Sequence, residues 1–275
     1  MDRNYPKYSV LMSVYAKEKP EYLKLSIQSM LDQTIPPDEF ILVEDGSLPS
    51  KLKNVIEGFV KVNSELFHIV PLPENVGLGP ALAVGIQQCR NELIARMDSD
   101  DYSDPKRCEK ELDCFINHPD LDVVGCYEAE FQDIITNIVA IHKVPETLEA
   151  INTLMHRRCA ILHPTVIYRK SAVLSCGNYQ SVPLYEDYDL FIRMLENRSE
   201  AYNVQKPLYF IRISDDFFKR RGGLRYLRTV VTFKRKQYKA GYFSFRDYVI
   251  SAGGQAFVCL LPNSLRVLFY KKFLR

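Results

Sequence analysis

Four short apolar runs alternate with three stretches of helical periodicity between residues 8 and 97, and this alternation restricts the fold more than any other feature. The apolar runs are Tyr8–Tyr15, Glu39–Glu44, Phe67–Leu72 and Glu92–Met97. The helical stretches between them are Glu21–Gln33, Lys51–Asn63 and Leu78–Arg90. Strands that alternate with helices in this way pair in parallel and are covered by those helices. We therefore predict an α/β fold with a mainly parallel sheet flanked by helices.

Polar side chains stand at the points where three of these strands end. The pairs are Ser13 and Tyr15, Glu44 and Asp45, and Asp98 and Asp100. In open sheets of this kind, ligands bind outside the carboxyl ends of the strands. We therefore expect the three pairs to converge on one crevice.

The segment Arg96–Asp101 places three carboxylates within four positions, directly after the fourth strand. Carboxylates so close together repel one another unless a cation or solvent compensates their charge. Asp98 and Asp100 offer hard oxygen ligands that suit Mg²⁺ or Mn²⁺, which a substrate diphosphate would also hold. A solvated acidic turn is the alternative, but the position at a strand end favours a metal site.

Two further motifs are expected near the same crevice. Val43–Ser47 combines carboxylates with a glycine turn. Its carboxylates could accept hydrogen bonds from a ribose hydroxyl or a base N–H. The alternative is a turn with no ligand. Pro73–Leu82 is rich in glycine but lacks both the G-x-G-x-x-G spacing and the lysine of a P-loop. We interpret this second motif as the opening of a helix that packs near a nucleotide.

A second acidic cluster, Tyr185–Asp189, comes at the start of an amphipathic helix. One of its carboxylates could take the proton of an acceptor hydroxyl, and the alternative is that these residues only cap the helix. His163 precedes a predicted strand and could shape an acceptor pocket, although a single histidine is more often structural.

The net charge of +2 is distributed unevenly along the chain. Residues 206–275 hold 16 Lys and Arg against 3 Asp and Glu, whereas residues 1–205 hold 20 against 31. We predict a catalytic domain over 1–205 and a basic, aromatic, partly helical extension over 206–275 that docks on an anionic membrane surface. Lys219, Arg220 and Arg221 are the candidates in this extension for binding an acceptor diphosphate. A solvated basic face is the alternative.

Cysteine usage and hydropathy bear on the cellular compartment. The seven cysteines are scattered and form no C-x-x-C pair, which argues against a disulfide framework and a structural zinc site. The first residues lack the apolar core of a signal peptide, and no apolar stretch approaches the roughly 20 residues of a membrane span. We therefore expect a cytoplasmic protein with reduced thiols that is soluble or peripheral.

Taken together and in this order, the motifs resemble those of glycosyltransferase family 2, whose members have the GT-A fold and invert the anomeric centre. The resemblance covers most of residues 8–220 and rests on Ser9–Tyr15, Val43–Ser47, Asn75–Gly79, Ala95–Asp101, His163–Pro164 and Tyr185–Leu190. Within the family the chain is similar to bacterial O-antigen and exopolysaccharide galactosyltransferases. Phe217–Gly223 and Leu261–Arg266 carry that closer similarity.

The resemblance implies roles for the matching residues. Asp187 would be the catalytic base, with Glu186 beside it. Asp98 and Asp100 would hold a Mn²⁺ or Mg²⁺ ion. The residues implied to bind a UDP-sugar donor are Ser13, Tyr15, Glu44, Asp45, Asn75, Arg96 and Asp98. At the uridine, Glu44 is the alternative to Asp45.

The implied reaction moves one hexose, with galactose expected, onto a polyprenyl-diphosphate-linked sugar at the cytoplasmic face of a bacterial inner membrane. Processive synthases of the family carry Gln-x-x-Arg-Trp beside transmembrane helices, and this chain has no Trp, so we expect transfer of a single sugar. A sugar nucleotidyltransferase would share the sheet and the acidic cluster and is the alternative. Nucleic acid is not an expected partner, because no recognised helix-turn-helix or RNP pattern accompanies the basic residues.

Overall fold

A computed structural model of the chain describes residues 4–213 and 223–261. Within these ranges, nine strands form one sheet. The strands are β1 Tyr8–Tyr15, β2 Glu39–Asp45, β3 Phe67–Pro71, β4 Leu93–Asp98, β5 Tyr102–Ser103, β6 Leu121–Phe131, β7 Ile138–His142, β8 Ile167–Arg169 and β9 Glu200–Arg212. The helices are α1 Pro20–Leu31, α2 Ser50–Val62, α3 Leu78–Gln88, α4 Arg107–Asn117, α5 Leu148–Met155, α6 Lys170–Ser175, α7 Glu186–Glu196, α8 Leu224–Lys239 and α9 Phe245–Leu260, with a 3-10 turn at His163–Thr165.

The sheet confirms the predicted parallel arrangement of the first four strands. Its order is β3-β2-β1-β4-β8-β6-β9-β5, with β7 paired to β6. Strand β1 pairs in parallel with β2 and β4, and β2 pairs in parallel with β3. Strand β8 is antiparallel to both β4 and β6, and β6 is parallel to β9. The carboxyl ends of β4, β6 and β9 therefore lie at the same edge as those of β1 and β2.

The first strands are apolar throughout because both of their faces are covered. In β1, Leu11 belongs to the core that is shared with α3, whereas Val10 and Met12 belong to the core that is shared with α1 and α2. Alternate side chains of a strand point to opposite faces, so a strand between two helical layers needs apolar residues at nearly every position. This double burial explains why β1 reads as a continuous apolar run and not as an alternating one.

Strand β9 crosses the domain boundary predicted at residues 205 and 206. It continues to Arg212 and pairs with β6 from Glu200 to that residue. The sheet of the first part of the chain thus extends into residues 206–212. The division of the chain into a catalytic domain and a basic extension stays a prediction.

Helix α8 packs on α7 through an ion pair and a ring contact. Asp189 of α7 is buried and accepts hydrogen bonds from Arg193 Nε at 2.8 Å and from Lys236 Nζ of α8 at 3.1 Å. Tyr185 and Phe233 stack with their ring centroids 4.3 Å apart. The orientation of α7 is therefore set partly by α8.

One cation of α8, Lys234, is buried and is therefore part neither of a membrane-docking surface nor of the solvated basic face that was the alternative. Lys234 Nζ donates a hydrogen bond to the Arg157 carbonyl oxygen at 3.1 Å and lies 4.7 Å from the ring centroid of Tyr188. Burial lowers the pKa of Lys234 to about 8. Across the described ranges, no helix has both the length and the apolar content needed to cross a bilayer.

Gly85 in α3 allows that helix to lie directly on the sheet. A Cβ atom added at this position would lie 2.4 Å from Leu11 Cδ1 and 2.8 Å from Val43 Cγ2, both on buried side chains. We expect Gly85→Ala to lower the free energy of unfolding by about 1–3 kcal/mol, because the packed core must shift.

Gly58→Ala in α2 is the matched control, because a Cβ added there meets no atom within 4 Å. It should raise the free energy of unfolding by about 0.5–1 kcal/mol through the better helix propensity of alanine. Urea denaturation of both variants measures the two values. Similar values for the two substitutions would contradict the close packing of α3 on the sheet.

Candidate active site

A pocket of about 310 Å³ lies at the carboxyl edge of the sheet. It confirms that the ends of β1, β2 and β4 converge on one crevice. A larger groove of about 660 Å³ runs between α1 and α2 on the outside of the protein, but none of the described residues that line it is acidic. The lining of the pocket at the sheet edge is Ser13, Tyr15, Glu18, Asp45, Asn75, Gly77, Leu78, Asp98, Ser99 and Asp100.

Asp45 holds the loop that precedes α3. Its Oδ1 accepts the main-chain N–H of Val76 at 2.7 Å, and its Oδ2 accepts the N–H of Gly77 at 3.1 Å and Asn75 Nδ2 at 2.9 Å. The carboxylate is buried. Because both of its oxygens are engaged with residues 75–77, Asp45 shapes the wall of the pocket. Its contact with a uridine stays a prediction.

The turn after Asp45 requires a glycine. Gly46 has a φ of +85°, and a Cβ added there would lie 2.7 Å from the main-chain nitrogen of Asn75. Glu44, the alternative uridine ligand, is half-buried and is not among the residues that line the pocket. Of the two adjacent carboxylates, the structure therefore places only Asp45 at the pocket.

A buried ion pair fixes the first carboxylate of the acidic loop. Arg96 Nη1 lies 2.5 Å from Asp98 Oδ1, and Arg96 is only 1% exposed. The main-chain N–H of Asp98 donates to the Tyr209 hydroxyl at 3.1 Å. Arg96 is therefore beneath the pocket, where its charge compensates Asp98. It is not itself part of the pocket lining, so its contact with a donor stays a prediction.

The third carboxylate of the motif turns away from the pocket. Asp101 Oδ2 accepts the hydroxyl of Tyr209 at 3.0 Å, and Oδ1 accepts the main-chain N–H of Arg212 at 2.7 Å. Burial, together with the charges of Asp100 and Asp98, raises the pKa of Asp101 well above its usual range. Asp101 ties the loop to β9, which leaves Asp98 and Asp100 as the pair that faces the pocket.

Asp98 and Asp100 form a site with surplus negative charge. Burial, followed by the charges of Asp98 and Glu18, raises the pKa of Asp100 to about 7. Oxygen donors with uncompensated charge suit a hard divalent cation. The described residues contain no group of three or more His, Cys, Asp or Glu side chains that could hold a metal alone. The pair therefore fits an ion whose other ligands come from a substrate or from water.

The second acidic cluster approaches this loop from α7. The charges of Arg96 and Asp98 act on both Glu186 and Asp187. Burial is the main factor that raises the pKa of each of these two carboxyls. Gly79 of α3 allows the start of α7 to lie close to α3, because a Cβ added at Gly79 would lie 3.0 Å from Glu186 Cβ. A carboxylate with a raised pKa is a stronger base, so the start of α7 can accept a proton near the pocket.

His163 lies in the core beside the site. Its Nε2 is 2.7 Å from the hydroxyl of Tyr179, and its ring meets Phe191 edge to face. Burial, together with the charge of Arg96, lowers the pKa of His163 well below its usual range. With 8% of its surface exposed, the side chain offers little contact area, and its role toward an acceptor stays a prediction. Lys219, Arg220 and Arg221 lie outside the described residues.

Several residues of the site carry no signal in the sequence. Glu18 lines the pocket and accepts the Ser99 hydroxyl at 2.7 Å, but it belongs to the irregular segment after β1. Tyr209 and Arg212 reach the acidic loop from more than 100 residues further along the chain. Only the pairing of β9 within the sheet brings them there.

Asp45→Ala should loosen the loop at residues 75–77. Because two main-chain N–H groups lose their acceptor, hydrogen exchange at Val76 and Gly77 should become at least about tenfold faster. NMR-detected exchange measures both amides. Glu44→Ala is the control, since it removes the adjacent carboxylate that lies outside the pocket lining. Equal exchange rates in the two variants would show that Asp45 does not hold the loop.

The chain has clear relatives of known class. Residues 9–175 match the family described as Glycosyl transferase family 2. Over 276 aligned residues the chain is 35% identical to the Escherichia coli UDP-Gal:alpha-D-GlcNAc-diphosphoundecaprenol beta-1,3-galactosyltransferase, covering 100% of this chain and 99% of that enzyme. It is 33% identical over 228 residues to the amylovoran biosynthesis glycosyltransferase AmsE of Erwinia amylovora, covering 83% and 84% of the two chains.

Solved structures share the fold. S. aureus TarS 1–349 in complex with UDP-GlcNAc superposes with a TM-score of 0.64 at 16% identity, covering 98% of this chain and 71% of that one. The mannosyltransferase PcManGT from Pyrobaculum calidifontis, in complex with GDP-Man and Mn²⁺, also gives 0.64, at 11% identity and with coverage of 96% and 72%. With the family match over residues 9–175, these similarities lead to one conclusion: the chain belongs to glycosyl transferase family 2 and is a glycosyltransferase with the GT-A fold.

Proposed function

We propose that the protein transfers one galactose from UDP-galactose to a sugar on a polyprenyl diphosphate, in bacterial O-antigen or exopolysaccharide synthesis. The observation that carries this proposal is the meeting of Asp98 and Asp100 with the ends of β1 and β2 in one pocket, next to the carboxylates of α7. The similarity to the E. coli galactosyltransferase over the full chain supports the choice of donor and acceptor.

The donor is proposed to lie along the edge formed by β1, β2 and β4. Ser13 and Tyr15 would contact the nucleoside, and the loop that Asp45 holds would close the opposite wall through Asn75. Tyr15 is 42% exposed, so its ring is available for stacking on a base. The cavity of about 310 Å³ is large enough for part of a nucleotide.

Asp98 and Asp100 would hold a Mn²⁺ or Mg²⁺ ion, for which their oxygen donors and surplus charge are suited. When bound, the ion neutralises charge on the departing diphosphate. Arg96 holds the Asp98 carboxylate in place through its 2.5 Å contact. The Mn²⁺ complex of PcManGT supports a divalent metal in this fold.

Asp187 is the proposed base. Its carboxylate takes the proton of the acceptor hydroxyl while the hydroxyl oxygen forms a bond to the anomeric carbon. The bond from that carbon to the diphosphate oxygen breaks in the same step, and UDP leaves. Attack opposite the leaving group converts an α-linked donor into a β-linked product. Burial raises the pKa of Asp187, which makes its carboxylate a stronger base.

Asp187→Asn should lower kcat by about 10²–10⁴-fold, because the amide cannot accept the proton. UDP binding should stay within about twofold of wild type, as Asp187 is not part of the pocket lining. The assay is transfer from UDP-galactose to a synthetic GlcNAc-diphosphate lipid with Mn²⁺, with and without EDTA. UDP affinity is measured by calorimetry.

Glu186→Gln is the comparison variant, since it removes the charge of the adjacent carboxylate and keeps its shape. A larger loss of kcat in Glu186→Gln than in Asp187→Asn would assign the base to Glu186. If the wild-type protein neither binds UDP nor transfers sugar in the presence of Mn²⁺, the proposed reaction is wrong. Synthesis of UDP-galactose from UTP and the sugar phosphate would instead identify a nucleotidyltransferase.

The extension is proposed to dock on an anionic membrane surface, at the cytoplasmic face of the inner membrane, where a polyprenyl-linked acceptor is held. One face of α9 is apolar and exposed, and Arg246 lies on the same face. Apolar side chains bordered by cations are typical of helices that lie in the membrane interface. The exposed apolar residues of this face are Phe245 at 67%, Val249 at 49%, Ile250 at 45%, Phe257 at 58% and Leu260 at 62%.

Ile250→Asp should weaken binding to phosphatidylglycerol vesicles by about tenfold or more. It removes an apolar side chain that would insert into the lipid interface, and it adds a negative charge that anionic lipid repels. Val62→Asp is the matched control: it adds the same charge at an exposed position of α2, where Val62 is 80% exposed. Vesicle flotation measures the bound fraction. Equal binding of the two variants would show that α9 does not face the membrane.

A further inference from the structure

We infer that Arg212, the last residue of β9, is the positioning residue that sets the geometry of the metal-binding loop. This inference rests on the proposed function, since the loop from Asp98 to Asp101 is proposed to hold the ion. Arg212 does not belong to the described lining of the pocket. It would therefore act through the loop and not by touching the ion or the donor.

Two contacts join Arg212 to the loop directly. Its main-chain N–H donates to Asp101 Oδ1 at 2.7 Å, and its side-chain Nε donates to the main-chain oxygen of Asp100 at 3.0 Å. The second contact fixes the peptide of a proposed metal ligand. A hydrogen bond to the carbonyl of Asp100 restricts the rotation of the residue whose carboxylate faces the pocket.

The register of the sheet explains why this residue meets Asp100. Strand β5 is antiparallel to β9, with Tyr102 opposite Phe210 and Ser103 opposite Tyr209. Continuing the register by two residues places Asp100 opposite Arg212. The loop thus leaves β4 at Asp98 and rejoins the sheet through β9, and Arg212 is the last β9 residue that can hold it.

The guanidinium group is itself held from three sides. Its Cζ lies 4.0 Å from the ring centroid of Tyr22 on α1 and 4.5 Å from that of Phe131 at the end of β6. Its Nη1 donates to the main-chain oxygen of Asp133 at 3.3 Å. A planar cation between two aromatic rings, with directed N–H groups, has little freedom to move. Such a group can hold a peptide in one orientation.

Residues that orient metal ligands affect metal affinity without contacting the metal. Loss of such an outer partner typically weakens metal binding by about 10–100-fold. We expect the same for Arg212→Ala toward Mn²⁺ in the presence of UDP. Arg212→Lys keeps the charge but lacks the planar fork, so its Mn²⁺ affinity should lie between those of Arg212→Ala and wild type.

Arg169→Ala is the matched control. Arg169 also ends a strand, has its Cζ 5.4 Å from the ring centroid of Phe115, and donates to the main-chain oxygens of Leu121 at 2.8 Å and Pro119 at 2.7 Å. It ends β8, which is antiparallel to β4, and its partner in the register is Leu93 at the opposite edge of the sheet. It therefore makes the same kinds of contact away from the loop.

The experiment titrates each full-length protein with Mn²⁺ at saturating UDP and follows free Mn²⁺ by electron paramagnetic resonance. Arg212→Ala should weaken Mn²⁺ binding by about tenfold or more, whereas Arg169→Ala should stay within about twofold of wild type. Thermal melting shows which variants are folded. If Arg212→Ala does not fold, Arg212→Lys serves instead and should weaken binding by at least about threefold.

The outcomes separate this inference from the function on which it rests. Unchanged Mn²⁺ affinity in a folded Arg212 variant, with wild type binding normally, overturns the inference alone. An equal loss in Arg169→Ala also overturns it, because the effect would then follow from general destabilisation. Wild-type protein that binds no Mn²⁺ with UDP overturns the proposed function and this inference together.

Discussion

The parallel pairing of β1 with β2 and β4 is the constraint on which the rest of the structure depends. In this register Tyr15 lies opposite Asp45 and Ser13 lies opposite Asp98, so three strands end at nearly the same level. Polar side chains are disfavoured in the core on either face of the sheet, so they lie together at the edge where these strands end. The position of the pocket follows from this register, and the chemistry of the pocket follows from the residues that the register places there.

The carboxylates of the motif have three different environments, although they are close in sequence. Asp98 is paired with the buried Arg96, and Asp101 is bonded to Tyr209 and β9. Asp100 has no such partner among the described residues, and its burial, followed by the charges of Asp98 and Glu18, raises its pKa to about 7. This separation shows how a cluster that would repel itself is tolerated in a fold. One member stabilises the loop, and two are left for a cation.

Helix α8 packs on α7, the helix that carries the proposed base. Helix α7 carries Asp187 at its start and Asp189 two residues later, and Asp189 binds Lys236 of α8. Tyr185 stacks on Phe233 of the same helix. The packing of α8 on α7 therefore also orients the residue proposed as the base.

The sequence by itself determined the alternation of strands and helices up to β4, the location of the strand ends and the family, because these depend on local periodicity and on short motifs. Tertiary structure decided what each polar residue does. Asp45 is engaged by residues 75–77, Asp101 is engaged by β9, and Glu18 and Arg212 join the site without any local signal. Strand β9 also runs through the boundary expected from the change in charge. These outcomes come from hydrogen bonds between residues 30 to 112 positions apart, which composition and spacing do not encode.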